Sequence, residues 1–436
     1  MADATPIYNL KAVMREVGLS AATLRAWELR YGLPKPERTV GGHRLYSRQD
    51  IEMLKWLVAR QNEGLSISHA VEMWKNQPTR EQRLAPMATE VLLETGPGEG
   101  IFDELRQKWI NACLMFDDLS ANHILDQAFA LAAPEMICNE VLQKGLAQIG
   151  ELWYAGTLHV QQEHFASAIA VRRLNSLLAG TVPAVRPGRI IAACPPGETH
   201  DFILLLVTYF LRRGGWDVIF LGSDVPLEDL DLTIRETKPV LVVSAAQTLT
   251  GAASLRGMSE SLAKQGIRLA YGGGIFIALP ETTHHISGYY LGDDILHIAE
   301  TVEGLLDATP PLPTAQPLST EYSIALERFQ KDSALITSHV KLEMQSAQVD
   351  SHLFGNAIEN LNAKICSAIT LGDIRLLDPT TAWLSGLLKN HGFTPSIILR
   401  LFSVYRQAVQ LYLGVDGDLI TAWLDTQFSR SDLKIS

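Results

Sequence analysis

The period at which apolar residues recur changes along the chain, and each change marks a boundary. Residues 7–75 carry short amphipathic stretches of helical period. LKAVMREVG is the first, and Gly18-Leu19-Ser20 makes a turn. Ser20 is a suitable N-cap for the next helix, AATLRAWELRYG. That helix carries Arg25 and Arg30 on a face with few apolar residues. TVGGHRLYS, two glycines followed by alternation, predicts a tight hairpin. Ser47 is placed to cap SRQDIEMLKWLVARQNEG. Pro78, Pro86, Gly96, Pro97, Gly98 and Gly100 then interrupt any period and predict a linker over 77–100.

Residues 101–182 return to the helical period with almost no strand signal and predict a bundle. Over 188–306, short apolar runs of strand type alternate with helical stretches. IIAAC (190–194), VIFLG (218–222), LVVSA (241–245) and LAYGG (269–273) are the candidate strands. Strands alternating with helices predict a doubly wound parallel sheet of Rossmann-like type. The Pro-rich 307–319 predicts a second linker, and 320–436 reads as further helices. The expected fold is multidomain, α and α/β, with domains at 5–76, 101–182, 188–306 and 320–436.

Charge sharpens this division. The 436 residues carry a formal net charge of −11, which argues against non-specific nucleic-acid binding by the whole molecule. Yet residues 1–76 hold eleven Lys/Arg against eight Asp/Glu, so the remainder carries −14. A basic end on an acidic chain suits a localised nucleic-acid module. Cys113, Cys138, Cys194 and Cys366 are widely spaced, which suggests neither a disulfide framework nor a zinc ribbon. The N-terminus lacks a basic-then-apolar signal pattern. The longest apolar run, Phe202–Leu211, is too short to span a bilayer and is closed by Arg212 and Arg213. The expectation is a cytoplasmic protein that makes no contact with membrane.

The run TLRAWELRYGLPKPERTVGGHRLYS carries nearly the full DNA-binding signature of the MerR family, which residues 7–75 resemble closely. The resemblance implies a winged helix-turn-helix that binds a double-stranded DNA operator. It implies Arg25, Trp27, Arg30, Tyr31, Arg38, His43, Arg44 and Tyr46 at or near the interface, with Arg44 and Tyr46 on the wing within reach of phosphates. MerR activators follow this module with a long dimerisation helix. Here NQPTREQRLAPMATEVLLETGPGEG follows, and its prolines break a continuous coiled coil. Any homo-oligomer, dimer or tetramer, is expected to assemble through the rest of the chain.

CPPGETHDF follows the first candidate strand, where doubly wound sheets bind ligands. His200 stands there behind Glu198, as a metal ligand oriented by a carboxylate. Ser244 follows about forty residues on, and glycines 272–274 allow close backbone approach. Together these resemble the cobalamin-binding module of methionine synthase and its relatives. The resemblance implies His200 as the lower axial ligand of cobalt and Glu198 as its tuner. It places Ser244, Gly273 and Gly274 along the nucleotide tail. At the motif's last glycine this chain has Ile203.

Ahead of the sheet, Trp153 is followed after nine residues by Glu163-His164. This is similar to the W-x9-E-H motif of the CarH/LitR light-sensing repressors. There the bundle covers the upper face of adenosylcobalamin, the Trp caps the adenosyl group, and the Glu and His contact the same pocket. Tyr154 replaces the His that follows the Trp in that family.

The resemblance implies a photoreceptor repressor that senses through adenosylcobalamin and lets oligomer state control operator binding. Two alternatives stay open. The same architecture, with Ile203 and Tyr154 in the pocket, could serve a bilin, a haem or no ligand. More remotely, the chain could be a cobalamin-dependent enzyme, although it has no recognisable substrate barrel. No catalytic residue is expected.

Overall fold

A computed structural model describes residues 8–17, 19–38, 44–62, 67, 71, 100–344, 351–379, 386 and 394–429. The chain divides into two units, Met1–Pro97 and Gly98–Ser436, and the division falls within the expected 77–100 linker.

In the first unit, β1 (Tyr8–Asn9) leads into α1 (Leu10–Val17) and α2 (Ala21–Tyr31). The Ser20 side chain accepts from Thr23 N at 3.0 Å and so caps α2. The hairpin is β2 (Glu37–Arg38) against β3 (Arg44–Tyr46), with β1 on the other edge of β3. The strand β1 gave no sequence signal, since two residues cannot show an alternation. Ser47 and Asp50 cap α3 (Arg48–Asn62) reciprocally: Asp50 N donates to Ser47 Oγ at 3.1 Å and Ser47 N to Asp50 Oδ2 at 2.9 Å. Leu24 and Trp27 of α2 pack with Val13, Tyr46, Ile51, Leu54 and Leu57 to make the core.

The second unit opens with the expected bundle: α4 (Ile101–Leu114), α5 (Asp118–Leu131), α6 (Pro134–Ile137), α7 (Lys144–Tyr154) and α8 (Val160–Ala179). Between α6 and α7 the backbone widens into a π-helical segment, Cys138–Gln143. The sheet follows. Its strands are β4 (Arg189–Ala193), β5 (Asp217–Gly222), β6 (Leu241–Ala245), β7 (Leu269–Gly272) and the short β8 (Tyr289–Tyr290). They run parallel in the order β5-β4-β6-β7-β8, so the strand order reverses at β4. The crevice outside the β4 carboxyl end is therefore the ligand position that the topology favours.

Unbroken apolar strands are buried on both faces, and this sheet divides its side chains accordingly. Ile190, Ala192, Leu241 and Val243 join the bundle in one core, together with α9 (Phe202–Arg213) and α13 (Ile298–Ala308). Ile191, Ala193 and Val242 join the opposite core with α10 (Leu227–Thr237) and α11 (Leu249–Lys264). The short α12 (Gly274–Ala278) closes the loop after β7.

Beyond the Pro-rich 307–319 expected as a linker, the C-terminal helices pack on the sheet. Helices α14 (Thr320–Met344), α15 (Ser351–Leu371), α16 (Pro395–Leu413) and α17 (Asp418–Ser429) share one core with α11 and the sheet. The Pro-rich segment is tied down along its length. Tyr289 Oη donates to Pro310 O at 2.6 Å, Gly288 N to Pro313 O at 3.0 Å and Gln316 N to His284 O at 3.0 Å. Proline lacks a donor but keeps its carbonyl, and here the carbonyls bind the belt to the domain. Buried Arg256 of α11 fastens the far end, donating to Gln316 O and Leu371 O, both at 2.9 Å. Trp383 and His391, which invite cofactor readings, lie outside the described residues.

Candidate cofactor site and nucleic-acid interface

The loop after β4 carries Glu198 and His200 to the switch point. Glu198 is 1% exposed, and its two oxygens gather donors from two loops. Oε1 accepts from His200 Nδ1 at 2.6 Å and from His200 N at 3.0 Å. Oε2 accepts from Gln247 N at 2.9 Å and Thr248 Oγ1 at 3.3 Å, both from the loop after β6. Burial alone would raise this carboxyl's pKa. The hydrogen bonds from the His200 side chain and the Gln247 and His200 amides, with the His200 charge, bring it below the ordinary value. His200 shifts the other way: its bond to Glu198 raises its pKa against the opposing effect of burial, and nearby Glu163 adds to the rise. Because Glu198 takes the Nδ1 hydrogen, the neutral ring keeps its lone pair on Nε2. The imidazole is thus oriented at the back and open at the front.

A cavity of about 440 Å³ lies between this loop, the carboxyl ends of β6 and β7, and the bundle. His200, Ile203, Ser244, Gln247 and Gly272–Gly274 line it from the sheet side. Gln143, Leu146, Ala147, Glu163 and Ser167 line it from the bundle. Gly273 has φ +119°, and a side chain there would collide with the Ala246 carbonyl. Gly251, at the start of α11, lets the Glu198 carboxylate approach so closely that a methyl group would strike it.

Three buried polar atoms among the lining residues have no hydrogen-bond partner: Gln143 Oε1, Ser244 Oγ and Gln247 Nε2. Such atoms are costly unless a ligand satisfies them. No group of three or more His, Cys, Asp or Glu among the described residues is arranged to hold a metal ion. A lone oriented imidazole, a glycine-lined slot and unsatisfied amide and hydroxyl groups suit a metal that arrives inside its own polar-fringed macrocycle. The residues present fit cobalamin.

The expected upper-face motif is only partly assembled. Glu163 lines the cavity, while His164 has a side chain 72% exposed and bonds by Nδ1 to Glu163 Oε2 at 2.7 Å. Trp153 is half-buried at the end of α7 and does not line the cavity. Tyr154 turns toward the C-terminal helices, where a side chain on Gly386 would meet its hydroxyl. Gln143 and Gln247 were missed by sequence reasoning. Gln143 left no motif, but it sits at the end of the π-helical segment, a device that re-aims side chains at functional sites.

On the first unit, Arg25 and Arg30 are exposed on α2, and the Arg30 guanidinium lies 5.6 Å from the Tyr31 ring centroid. Arg44 on β3 is half-buried, with Nε and Nη2 bonded to Glu28 at 2.9 and 3.3 Å. This pair ties the wing strand to α2. Trp27 and Tyr46 are buried in the core of this unit, with 6% and 1% exposure. Arg38 is placed on β2 by its backbone, and His43 lies outside the described residues.

Comparison with known proteins covers both units. Residues 8–77 match the MerR HTH family regulatory proteins, and 105–178 and 188–299 each match a B12 binding domain. The HTH-type transcriptional repressor CarA of Myxococcus xanthus is 33% identical over 237 residues, 54% of this chain and 74% of CarA. CarH of the same organism, also an HTH-type transcriptional repressor, is 34% identical over 249 residues, 56% of this chain and 79% of CarH. A methionine synthase of Mycobacterium tuberculosis is 27% identical over 58% of this chain but only 20% of its own length. What this chain shares with CarA and CarH runs through most of their length, and on that ground it belongs to their family, as a cobalamin-sensing, DNA-binding transcriptional regulator.

Proposed function

We propose that the chain is a cytoplasmic, light-responsive repressor rather than an enzyme, and that adenosylcobalamin is its chromophore. The observation that carries this reading is the two-sided cavity. The sheet domain offers His200 from one wall and the bundle offers Glu163 from the other, so a ligand between them would contact both. Adenosylcobalamin supplies a cobalt–carbon bond that light can break. The chain supplies the rest. Glu198 orients His200, which would hold the metal, Ser244 and the glycines would take the nucleotide tail, and Glu163, bonded to His164, would contact the group from the bundle.

A change in bundle packing would change how chains associate. Several weakly binding DNA modules held together gain effective concentration, and separated ones lose it. No helix among the described residues is long and apolar enough to cross a membrane.

The purified, cobalamin-loaded protein should show a cobalamin spectrum that changes under green light, together with a change in elution volume on size exclusion. A red or far-red band would assign a bilin, and a Soret band a haem. A colourless protein that cannot be loaded would overturn the reading. His200→Ala should weaken cobalamin binding and alter the visible spectrum; unchanged affinity and spectrum would exclude His200 as the ligand.

For the DNA module, two of the five Arg44 N–H groups go to Glu28, which leaves donors for a backbone phosphate. Arg44→Ala should lower affinity for DNA of any sequence several-fold. It should also flatten the slope of log K against log salt by about 0.9, one phosphate contact. A loss confined to one operator sequence would instead make Arg44 a base reader.

A further inference from the structure

A second cavity, of about 510 Å³, opens on the opposite side of the sheet domain, where three segments distant in sequence meet. Glu281, His284 and His285 come from the 3₁₀ turn Pro280–His285 that follows α12. Gln316 comes from the Pro-rich belt and Tyr322 from α14. Asp373 and Arg375 come from the loop after α15. The cavity exists only because the C-terminal helices pack on this face.

Its chemistry is one-sided. Asp373, 9% exposed, has both oxygens engaged by Arg375, through Nε at 2.9 Å and Nη2 at 2.7 Å. That fork uses two of the five guanidinium hydrogens and leaves three. Tyr322 Oη accepts from Ile374 N at 3.0 Å, which leaves the phenolic hydrogen to donate. His285 is 6% exposed, and its Nδ1 has no partner. Burial is the main cause that depresses the pKa of His285, and the nearby charges of Arg256, His284 and Arg375 add to it against the opposing Asp373. Glu281 stands exposed. Donors outnumber acceptors here, the one deeply placed carboxylate is saturated, and the walls are polar.

We propose that this cavity is a second effector site, which takes a small anion, a carboxylate or a phosphate monoester. The anion would accept from Arg375, Tyr322 and the histidines. It would thereby bridge the turn of the cobalamin-binding domain to the C-terminal helices. It would give the C-terminal helices a sensory role of their own.

Calorimetric titration of the full chain, loaded with cobalamin so that its other cavity is filled, tests this with inorganic phosphate and with succinate as probes. The expected result is saturable binding of at least one probe, at one site per chain, with a matching rise in the thermal transition. Phosphate alone would indicate a phosphate monoester, and succinate alone a carboxylate. Arg375→Ala should weaken binding at least tenfold. Should that variant fail to fold for want of a partner for Asp373, exposed His284→Ala should still weaken binding several-fold. Absence of saturable binding by both probes, or binding unchanged in the variants that fold, would overturn the proposal.

Discussion

A Gly273→Val chain should bind cobalamin at least about 100-fold more weakly than the parent. Gly273 has φ +119°, a conformation that side chains rarely adopt, and any Cβ would run into the Ala246 carbonyl. Strained backbone of this kind costs about 1–3 kcal/mol, and overfilling a packed position a further 1–3 kcal/mol. The loop must therefore move away from β6, and it moves into the slot that Ser244, Gln247 and Gly274 define. Together these terms come to about 2–6 kcal/mol, and at about 1.4 kcal/mol per decade of affinity the loss exceeds about 100-fold over most of that range. Spectroscopic titration of the apoprotein with cobalamin measures it, with far-ultraviolet circular dichroism to show that the sheet persists. Affinity within threefold of the parent would mean that the tail does not use this slot. Gly273→Ala should fall between the two.

The second large effect is on stability. Glu198→Ala should destabilise the Gly98–Ser436 unit by about 3 kcal/mol or more. It deprives the part-buried Gln247 amide, His200 amide and Thr248 hydroxyl of their acceptor, where a donor left unpaired costs up to about 1–3 kcal/mol. It also opens a void against Gly251. Glu198→Gln keeps the shape and some acceptors and should cost less.

The pH dependence has a definite sign. Glu198 has a depressed pKa, so its contribution is present above the unfolded value of about 4.3 and is lost as pH falls through the folded value. His200 has a raised pKa. Its contribution is complete below about 6.5 and is lost as pH rises through the folded value. The stability gap between parent and Glu198→Ala should therefore be widest between about pH 4.3 and 6.5. A gap that kept growing toward pH 9 would contradict the pairing. Denaturant melts of the full apoprotein across that range measure it.

Much of this architecture was legible from residue order. Four of the five parallel strands announced themselves as apolar runs, because strands buried on both faces leave nothing polar to confuse the pattern. Glu198 and His200 were legible because a loop after the first strand must lie at the switch point. Other features were less legible for physical reasons. Trp27 lies three residues after Leu24, on the buried face of α2, yet a signature shared with DNA-binding proteins does not separate aromatic residues that support the interface from those that touch DNA. The role of Trp153 rests on a resemblance in motif, and a motif does not say which way the end of a helix turns. The belt at 307–319 looked like a free linker because prolines suppress donors. Its fixation uses the carbonyls of Pro310 and Pro313 together with the amides of Ala315 and Gln316. Arg256, Asp373 and His285 meet from positions far apart in the chain, and no local pattern could bring them together.

The alternation of side chains across β4 and β6 gives the molecule a kind of parity. On β4, even-numbered Ile190 and Ala192 belong to the bundle-side core, and odd-numbered Ile191 and Ala193 to the core shared with the C-terminal helices. On β6 the assignment reverses, with Leu241 and Val243 on the bundle side and Val242 opposite. Neighbouring codons thus address different halves of the regulator. A lesion at 243 is felt first by the helices over the cobalamin cavity, and one at 242 by the helices that complete the donor-lined one. A strand five residues long is where two separate inheritances of mutation meet without mixing.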